Sequence, residues 1–300
     1  MENTNYMKDF LIMTDSCCDL PIEYINEKKI PYVSLICNFD GVEYKDDFGQ
    51  TQSYKDFFNG LREGIVPKTS QPSSQEVYNK FEEIIKSGKD IVYLCVSSGL
   101  SGTFNGANVA KDMILEEYKD ANIHLVDCLT ASLGEGLLVM KAIEMKEEGK
   151  SKDEIINYLE EIKQRLNTYI LVDDLSYLKK GGRISSAAAT IGMVLHVKPI
   201  LTVNHEGRVM PILKVKGRKK SIVKLIEIAK ERIENPKDEI ITICHGDCLE
   251  EATKLKEKLM EEIGPKDVII NYIGNTVGSY SGAGALSIFF FGSERQHHII

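Results

Sequence analysis

The feature that most constrains the fold of this chain is the alternation of short apolar runs with longer amphipathic segments. In the first half, runs rich in branched residues occur at residues 10–14, 32–39, 91–96 and 123–128. Helical patterns fill most of the gaps, and two of them begin with a capping box, Ser73 with Glu76 and Ser151 with Glu154. This alternation of apolar runs and helical segments predicts an α/β domain with a mostly parallel sheet.

The second half of the chain has a different pattern. Strand candidates follow one another at residues 198–203, 207–215, 239–244, 267–273 and 285–291. Residues 204–207 have the composition of a hairpin turn between the first two. We therefore predict two domains, an N-terminal α/β domain (1–166) and a C-terminal α+β domain with a largely antiparallel sheet (167–300).

Charge and cysteine content limit the possible functions. The net charge of −8 argues against a protein whose main task is to bind nucleic acid, because neutralising phosphates requires a basic surface. The seven cysteines are scattered and odd in number, which favours reduced thiols. The N-terminal residues do not resemble a secretory signal, and the longest uncharged stretch, 184–197, is too short to span a membrane. We expect a cytoplasmic protein without a membrane span.

Three predicted strands of the first half run into hydroxyl-rich turns, at residues 14–19, 97–103 and 130–136. In a parallel sheet such turns lie at the carboxyl edge, where ligands bind, and helix starts there favour anions. Residues 68–74 form a further hydroxyl-rich segment. The alternative is that these serines and threonines only cap helices, which is their commonest role at such positions. The sequence leaves both interpretations open.

The turns lack most of the groups that catalysis needs. They contain no His, Lys or Arg, and the sequence has no glycine-rich phosphate loop. Asp15 is the candidate general base, although an Asp after a strand equally well braces a loop. Residues 244–248 combine two thiols, an imidazole and a carboxylate, but a structural zinc site usually needs four ligands at recognisable spacing. We therefore predict no metal and no cofactor.

Basic residues cluster at 178–184 and at 214–221. Neither cluster alternates with aromatic side chains, which argues against binding of single-stranded nucleic acid. Each cluster is either a solvated hairpin edge or a docking patch for an acidic partner.

Six motifs, in order along the chain, resemble the DegV family, which includes the FakB-type fatty-acid-binding subunits of bacterial fatty acid kinase. They span residues 13–21, 68–74, 97–104, 173–185, 197–201 and 278–285. The resemblance implies a carrier, not an enzyme: a long-chain fatty acid is buried between two domains, and a separate ATP-binding kinase subunit phosphorylates it. In that pattern Thr69 and Ser98 hydrogen-bond the carboxylate.

Other residues enter the expected site on the same basis. The further candidate ligand contacts are Asp15, Ser16, Ser97, Gly99, Ser101, Gly102, Thr103 and Tyr280. A tunnel wall formed by Ile191, Met193, Val194 and Leu195 is as plausible as a role for them in core packing. Arg183 and Arg218 are candidates for docking the kinase subunit, and transient contact with a membrane fits the same picture.

Tyr280 is the point at which this chain departs from the family pattern, which usually has a histidine two residues before the last glycine motif. Tyrosine keeps a hydroxyl donor but does not supply a positive charge. Two other functions remain open: a small-anion phosphoryl- or acyl-transfer enzyme that uses Asp15 and the serine-rich loops, and a regulatory protein without a ligand.

Overall fold

The computed structural model describes residues 9–185 and 197–295. The strands are β1 (Phe10–Asp15), β2 (Tyr32–Val33), β3 (Ile36–Phe39), β4 (Val42–Lys45), β5 (Lys68–Ser70), β6 (Asp90–Cys95), β7 (Ile123–Asp127), β8 (Leu166–Leu171), β9 (Val197–Val203), β10 (Val209–Lys216), β11 (Ile240–His245), β12 (Asp267–Tyr272) and β13 (Leu286–Phe291). The helices are α1 (Ile22–Lys28), α2 (Tyr54–Arg62), α3 (Ser74–Lys86), α4 (Thr103–Glu117), α5 (Leu133–Glu147), α6 (Lys152–Ile162), α7 (Ser176–Lys180), α8 (Arg218–Arg232), α9 (Leu249–Glu262) and α10 (Asn275–Ser281).

The first half of the chain forms a four-stranded parallel sheet in the order β2-β1-β6-β7. Every residue of β6 is buried, as expected for a strand that helices cover on both faces. Ile91 and Tyr93 pack with α3 and α4, whereas Val92 and Leu94 point to the opposite face and pack with α5. The alternation of side chains along the strand thus divides the core into two layers.

The second half forms a six-stranded sheet in the order β10-β9-β8-β13-β11-β12. All neighbouring pairs are antiparallel except β11 and β12. Helices α8 and α9 cover one face. Helix α5 lies against the other face and contacts β8, β11 and β13, so a single helix separates the two large sheets.

A small antiparallel sheet, β4-β3-β5, was not predicted from the sequence. The predicted single strand at 32–39 is two strands, because Leu35 turns out of the parallel sheet. Its amide donates to the Ser16 hydroxyl at 3.0 Å, and its carbonyl accepts from the Asp46 amide at 2.8 Å. Strand β3 then pairs with β5, and Cys37 lies opposite Thr69. This sheet therefore fixes the position of a candidate ligand contact.

The predicted fold class is confirmed: a parallel N-terminal sheet is followed by a mostly antiparallel C-terminal sheet. Both predicted capping boxes are present, at Ser73 and at Ser151. The predicted turn at 204–207 is closed by a hydrogen bond of 2.9 Å from the Gly207 amide to the Asn204 carbonyl. Strand β8 was not predicted, and the division at residue 166 remains a prediction.

Two further predictions concern membranes and the tunnel wall. Within residues 9–185 and 197–295, no helix has the length and apolarity needed to cross a bilayer. The four tunnel candidates between residues 191 and 195 lie outside the described residues.

The close packing of α5 predicts a contrast between two helical glycines. A Cβ on Gly136 would lie 2.7 Å from the Cys18 carbonyl oxygen, whereas the nearest atom to one on Gly106 would be in the flexible Gln71 side chain, at 3.2 Å, with the nearest backbone atom 4.0 Å away. Alanine improves helix propensity by about 1 kcal/mol at either site, but overpacking against backbone costs about 1–3 kcal/mol. We expect Gly136→Ala to lower the free energy of unfolding in urea and Gly106→Ala to change it little. Equal effects of the two substitutions would contradict this packing.

Candidate functional site

A cavity of about 370 Å³ lies between the carboxyl edge of the parallel sheet and the inner face of the six-stranded sheet. We call it the interlayer cavity. Its apolar lining comprises Cys17, Leu35, Val96, Leu100, Ala131, Ile170, Leu178, Val203, Val209, Ile273, Val277 and Phe289. Hydroxyl side chains make up most of the remaining lining: Thr69, Ser70, Ser101, Thr130, Ser132, Thr168, Thr276, Tyr280, Ser281 and Ser287. The cavity is therefore amphipathic.

Two hydroxyls from distant parts of the chain meet at the cavity wall. Thr69 Oγ1 in β5 and the Tyr280 hydroxyl in α10 are 2.5 Å apart, and either can be the donor. The guanidinium of Arg183 lies 4.4 Å from the centre of the Tyr280 ring, and its Nε donates to the Leu100 carbonyl. The structure thus brings together Thr69 and Tyr280, two of the predicted contacts, and adds a cation beside them.

The turn at 97–103 separates the predicted serines. Its backbone forms a helical turn, with the Leu100 and Ser101 amides both 3.0 Å from the Ser97 carbonyl. Ser101 lines the cavity, whereas Ser98 is exposed and its amide donates to Asp127 at 3.1 Å. The structure therefore does not bring Ser98, the serine expected from the resemblance, to the cavity.

The other residues of this turn hold it in place. Ser97 is buried, and its hydroxyl donates to the Gly207 carbonyl at 2.9 Å, which ties the turn to the β9–β10 hairpin. Gly99 lies against the same hairpin, where a Cβ would be 2.7 Å from the Glu206 carbonyl oxygen. These two residues are braces between the two halves of the molecule and not parts of the cavity wall.

Gly102 and Thr103 begin helix α4. Gly102 lines the cavity beside Gln71, and Thr103 is buried. The Ser101 hydroxyl accepts from the Thr103 amide at 3.2 Å and also lies 2.8 Å from the Thr103 hydroxyl. Ser101 therefore combines both roles left open by the sequence, since it satisfies a helix-start amide and faces the cavity.

Asp15 and Ser16 brace the first turn. Asp15 is buried and accepts from the amides of Cys17 and Val96, each at 2.9 Å. Burial raises the pKa of Asp15 to about 6. Ser16 accepts the Leu35 amide. Neither residue lines the interlayer cavity, so the structure supports the loop-bracing interpretation of Asp15 and not the general base.

Asp46 and Asp19 are buried acids that no local sequence pattern singles out. Asp46 accepts the amide of Thr276 at 2.9 Å. Asp19 accepts from the Ser132 hydroxyl, and its carbonyl accepts from the Asn271 side chain at 2.8 Å. Burial raises the pKa of Asp46 to about 6 and also raises the pKa of Asp19. Asp46 thus holds the start of α10, the helix that carries Tyr280, and Asp19 joins the turn before α5 to β12.

The two candidate docking arginines have different surroundings. Arg183 lines the cavity, as described above. Arg218 instead forms ion pairs with Glu251 and Asp173, at 2.7 and 3.0 Å, and donates to the Gly284 carbonyl at 2.6 Å. It therefore anchors the last glycine motif to the start of α8, and much of its charge is already paired.

The His and Cys residues at 244–248 stabilise a turn. The Cys248 amide donates to His245 Nδ1 at 3.2 Å, and burial lowers the pKa of His245 to about 4. In the part of the chain that the structure describes, no cluster of His, Cys, Asp or Glu has an arrangement suited to a metal ion.

The fold and the site define a class of protein: two α/β layers that enclose a mixed apolar and hydroxyl-lined cavity, with a hydroxyl pair and an arginine at its wall. The chain belongs to the DegV family. A family model described as "Uncharacterised protein, DegV family" matches residues 9–293.

Individual relatives agree with this assignment. A DegV domain-containing protein of Clostridium perfringens is 47% identical over 290 residues, covering 97% of this chain and 100% of the relative. The solved structure of DegV from Bacillus subtilis, described as a fatty acid binding protein, is 31% identical with a TM-score of 0.83, covering 95% of this chain and 100% of that one. The solved structure of a stearic-acid-binding protein of Eubacterium ventriosum is 25% identical with a TM-score of 0.85, covering 94% of this chain and 98% of that one.

The raised pKa of Asp46 predicts a pH effect on stability. The unfolded carboxyl ionises near 3.8 and the folded one near 6, so ionisation costs stability in the folded state as the pH rises between these values. From about pH 5 to about pH 7, the free energy of unfolding of the parent should fall by about 1 kcal/mol relative to Asp46→Asn. Urea unfolding at both pH values measures this. A constant difference between the two proteins would show that Asp46 is not held in a desolvated site.

Proposed function

We propose that this protein binds a long-chain fatty acid in the interlayer cavity and holds its carboxylate at Thr69, Tyr280 and Ser101. The observation that carries the proposal is the hydroxyl pair of Thr69 and Tyr280, 2.5 Å apart at the wall of a largely apolar cavity. The printed descriptions of solved relatives as fatty acid binding proteins support the same ligand class.

The hydroxyl pair suits a carboxylate. Without ligand, one hydroxyl donates to the other and leaves a single free proton. A carboxylate oxygen between them accepts from both, and the Ser101 hydroxyl adds a third donor. Hydrogen bonds to a charged acceptor are stronger than neutral ones, so the exchange of partners favours the bound acid.

Arg183 supplies the charge that the turns lack. Its guanidinium is fixed over the Tyr280 ring and by its bond to the Leu100 carbonyl. Among the described residues, its hydrogen bonds go to the carbonyls of Leu100 and Gly181, so its positive charge can attract an anion at the hydroxyl pair. The resemblance suggested Arg183 only as a docking residue, so its place at the cavity adds a role in holding the head group.

The acyl chain provides most of the affinity. About 14 methylenes at about 0.8 kcal/mol each offer on the order of 11 kcal/mol of transfer free energy before the costs of association. Residues such as Ile170, Val277 and Phe289 provide apolar surface for it. The head-group contacts then orient the ligand and select for an acid.

The second part of the proposal is that a separate ATP-binding kinase subunit phosphorylates the bound acid. Helix α10, which carries Tyr280, packs against α7. Lys179 and Lys180 of α7 are exposed. These lysines and Arg183 form a basic surface next to the carboxylate position. Such a surface suits an acidic partner that must reach the head group.

A small-anion transfer enzyme has less support. Its candidate base, Asp15, accepts two backbone amides and lies outside the cavity lining. A base must reach the proton that it removes, and this carboxyl is instead buried behind the turn that it braces.

The head-group assignment predicts the effects of near-isosteric substitutions. Thr69→Val and Tyr280→Phe each remove one donor to a carboxylate, which corresponds to about 10-fold to 100-fold weaker binding of stearate. Ser98→Ala is the matched control, because this serine is exposed, and its affinity should equal that of the parent. Titration calorimetry with stearate measures all three. Weaker binding by Ser98→Ala alone would move the head group to the outside of the turn.

The carrier assignment predicts a dependence on a second protein. Stearate-loaded protein with ATP and Mg²⁺ should form no acyl phosphate, and addition of an ATP-binding fatty acid kinase subunit should produce it. Trapping of the product with hydroxylamine measures the yield. Asp15→Asn should be phosphorylated at the same rate as the parent if it remains folded. Turnover without the second protein, abolished in Asp15→Asn, would support the transfer enzyme instead.

A further inference from the structure

The wall of the interlayer cavity on the side of the six-stranded sheet has more hydroxyls than a plain hydrocarbon chain requires. Thr168 lies in β8 and Ser287 in β13, and Thr130 and Ser132 come from the turn before α5. We call these four residues the sheet-side hydroxyls. All four are at least nine-tenths buried, with Thr168 only 2% and Ser287 only 5% exposed.

These hydroxyls occupy positions where the fold would accommodate apolar side chains. In the β8–β13 ladder, Thr168 lies opposite Phe289 and Ser287 lies opposite Ile170. Phe289 and Ile170 also line the cavity, so polar and apolar residues alternate across this wall. Burying a hydroxyl beside hydrocarbon costs free energy unless it is hydrogen-bonded.

The hydrogen bonds made inside the protein satisfy Thr130 and Ser132 more fully than Thr168 and Ser287. Thr130 and Thr168 share one long contact of 3.3 Å between their hydroxyls, and Thr130 also contacts the Ala131 carbonyl at 3.5 Å. Ser132 donates to Asp19 and lies 3.0 Å from Cys244 Sγ, so it already has two partners. Ser287 has no side-chain hydrogen bond to any residue within 9–185 and 197–295. Each hydroxyl can donate once and accept twice, so several positions remain for a polar group in the cavity.

The sheet-side hydroxyls are separate from the head-group site. Helix α10, which carries Tyr280, packs against α2, α7, β3 and β5. Strands β8 and β13 instead pack against α5. A ligand whose carboxylate is held at Thr69 and Tyr280 therefore meets the sheet-side hydroxyls with a later part of its chain.

We propose that the ligand is an oxygenated long-chain fatty acid, with a hydroxyl or keto oxygen along its chain that hydrogen-bonds to Thr168 and Ser287. This inference rests on the proposed function and specifies the substrate class. A site with buried hydrogen-bonding groups discriminates against an analogue that lacks the matching oxygen, because its own groups are then left unpaired. A plain acid would leave these hydroxyls to water or without partners.

The test compares the affinities of stearic acid and of stearic acids hydroxylated at the tenth or the twelfth carbon, by titration calorimetry. At least one mid-chain hydroxy acid should bind about 3-fold to 30-fold more tightly than stearic acid, as one or two additional hydrogen bonds imply. Stearic acid hydroxylated beside its carboxyl group is the positional control and should show no such gain.

Variants connect the preference to the wall. The double substitution Thr168→Val with Ser287→Ala should bind stearic acid at least as tightly as the parent and lose the preference for the mid-chain hydroxy acid. Thr202→Val is the matched control, since this hydroxyl donates to the Thr168 carbonyl at 2.7 Å and does not line the cavity. It should retain the preference.

The outcomes separate the two proposals. Tight binding of stearic acid with no gain from a mid-chain hydroxyl would overturn the oxygenated ligand and leave fatty acid binding intact. A preference that survives in the double variant would also overturn it, because the discriminating groups would then lie elsewhere. Failure of the parent to bind any of these acids would overturn both proposals together.

Discussion

The burial of helix α5 between the two large sheets is the constraint on which the rest of the structure depends. The helix contacts β1 and β6 of the parallel sheet and β8, β11 and β13 of the other. Its first turn contains Glu135, which is buried and accepts from the Thr14 hydroxyl at 2.8 Å, and Gly136 lets the helix approach the backbone of Cys18. The sheets are therefore held one helix apart. Where α5 begins, Thr130 to Ser132 border the interlayer cavity.

The second constraint is the attachment of α10 to the N-terminal half. The buried Asp46 accepts the amide of Thr276 at the start of α10, and the small sheet places β5 beside this helix. Thr69 and Tyr280 meet as a consequence, although 211 positions separate them. The free energy lost by burying the Asp46 carboxyl is thus linked to the position of the Thr69–Tyr280 pair, which gives this acid a role beyond loop structure.

The sequence was sufficient for features with local causes. Capping boxes, β-branched runs and the turn at 204–207 depend on neighbouring residues, and the structure contains both boxes, the turn and every predicted strand except that the one at 32–39 is divided in two. Features that depend on distant contacts were missed. The small sheet exists because Leu35 leaves one sheet for another, and the role of Asp46 depends on Thr276. Neither contact has a signature in the local sequence.

Two of the three serines in the turn at 97–103, Ser98 and Ser101, show the limit of prediction from residue type. Both fit a hydroxyl-rich turn, but the helical geometry of its backbone turns Ser101 inward and leaves Ser98 exposed. Likewise, both basic clusters predicted docking residues, whereas the structure places Arg183 over Tyr280 and pairs Arg218 with Glu251 and Asp173. In each case a three-dimensional contact, and not residue type, separates the site residue from its neighbour.

The central claim is that the interlayer cavity holds a fatty acid. The most direct measurement is mass spectrometry of an organic extract of the purified protein, made before and after incubation with a fatty acid mixture. We predict a long-chain fatty acid in about a one-to-one ratio to the protein after incubation. Recovery of no fatty acid from either sample would contradict the account.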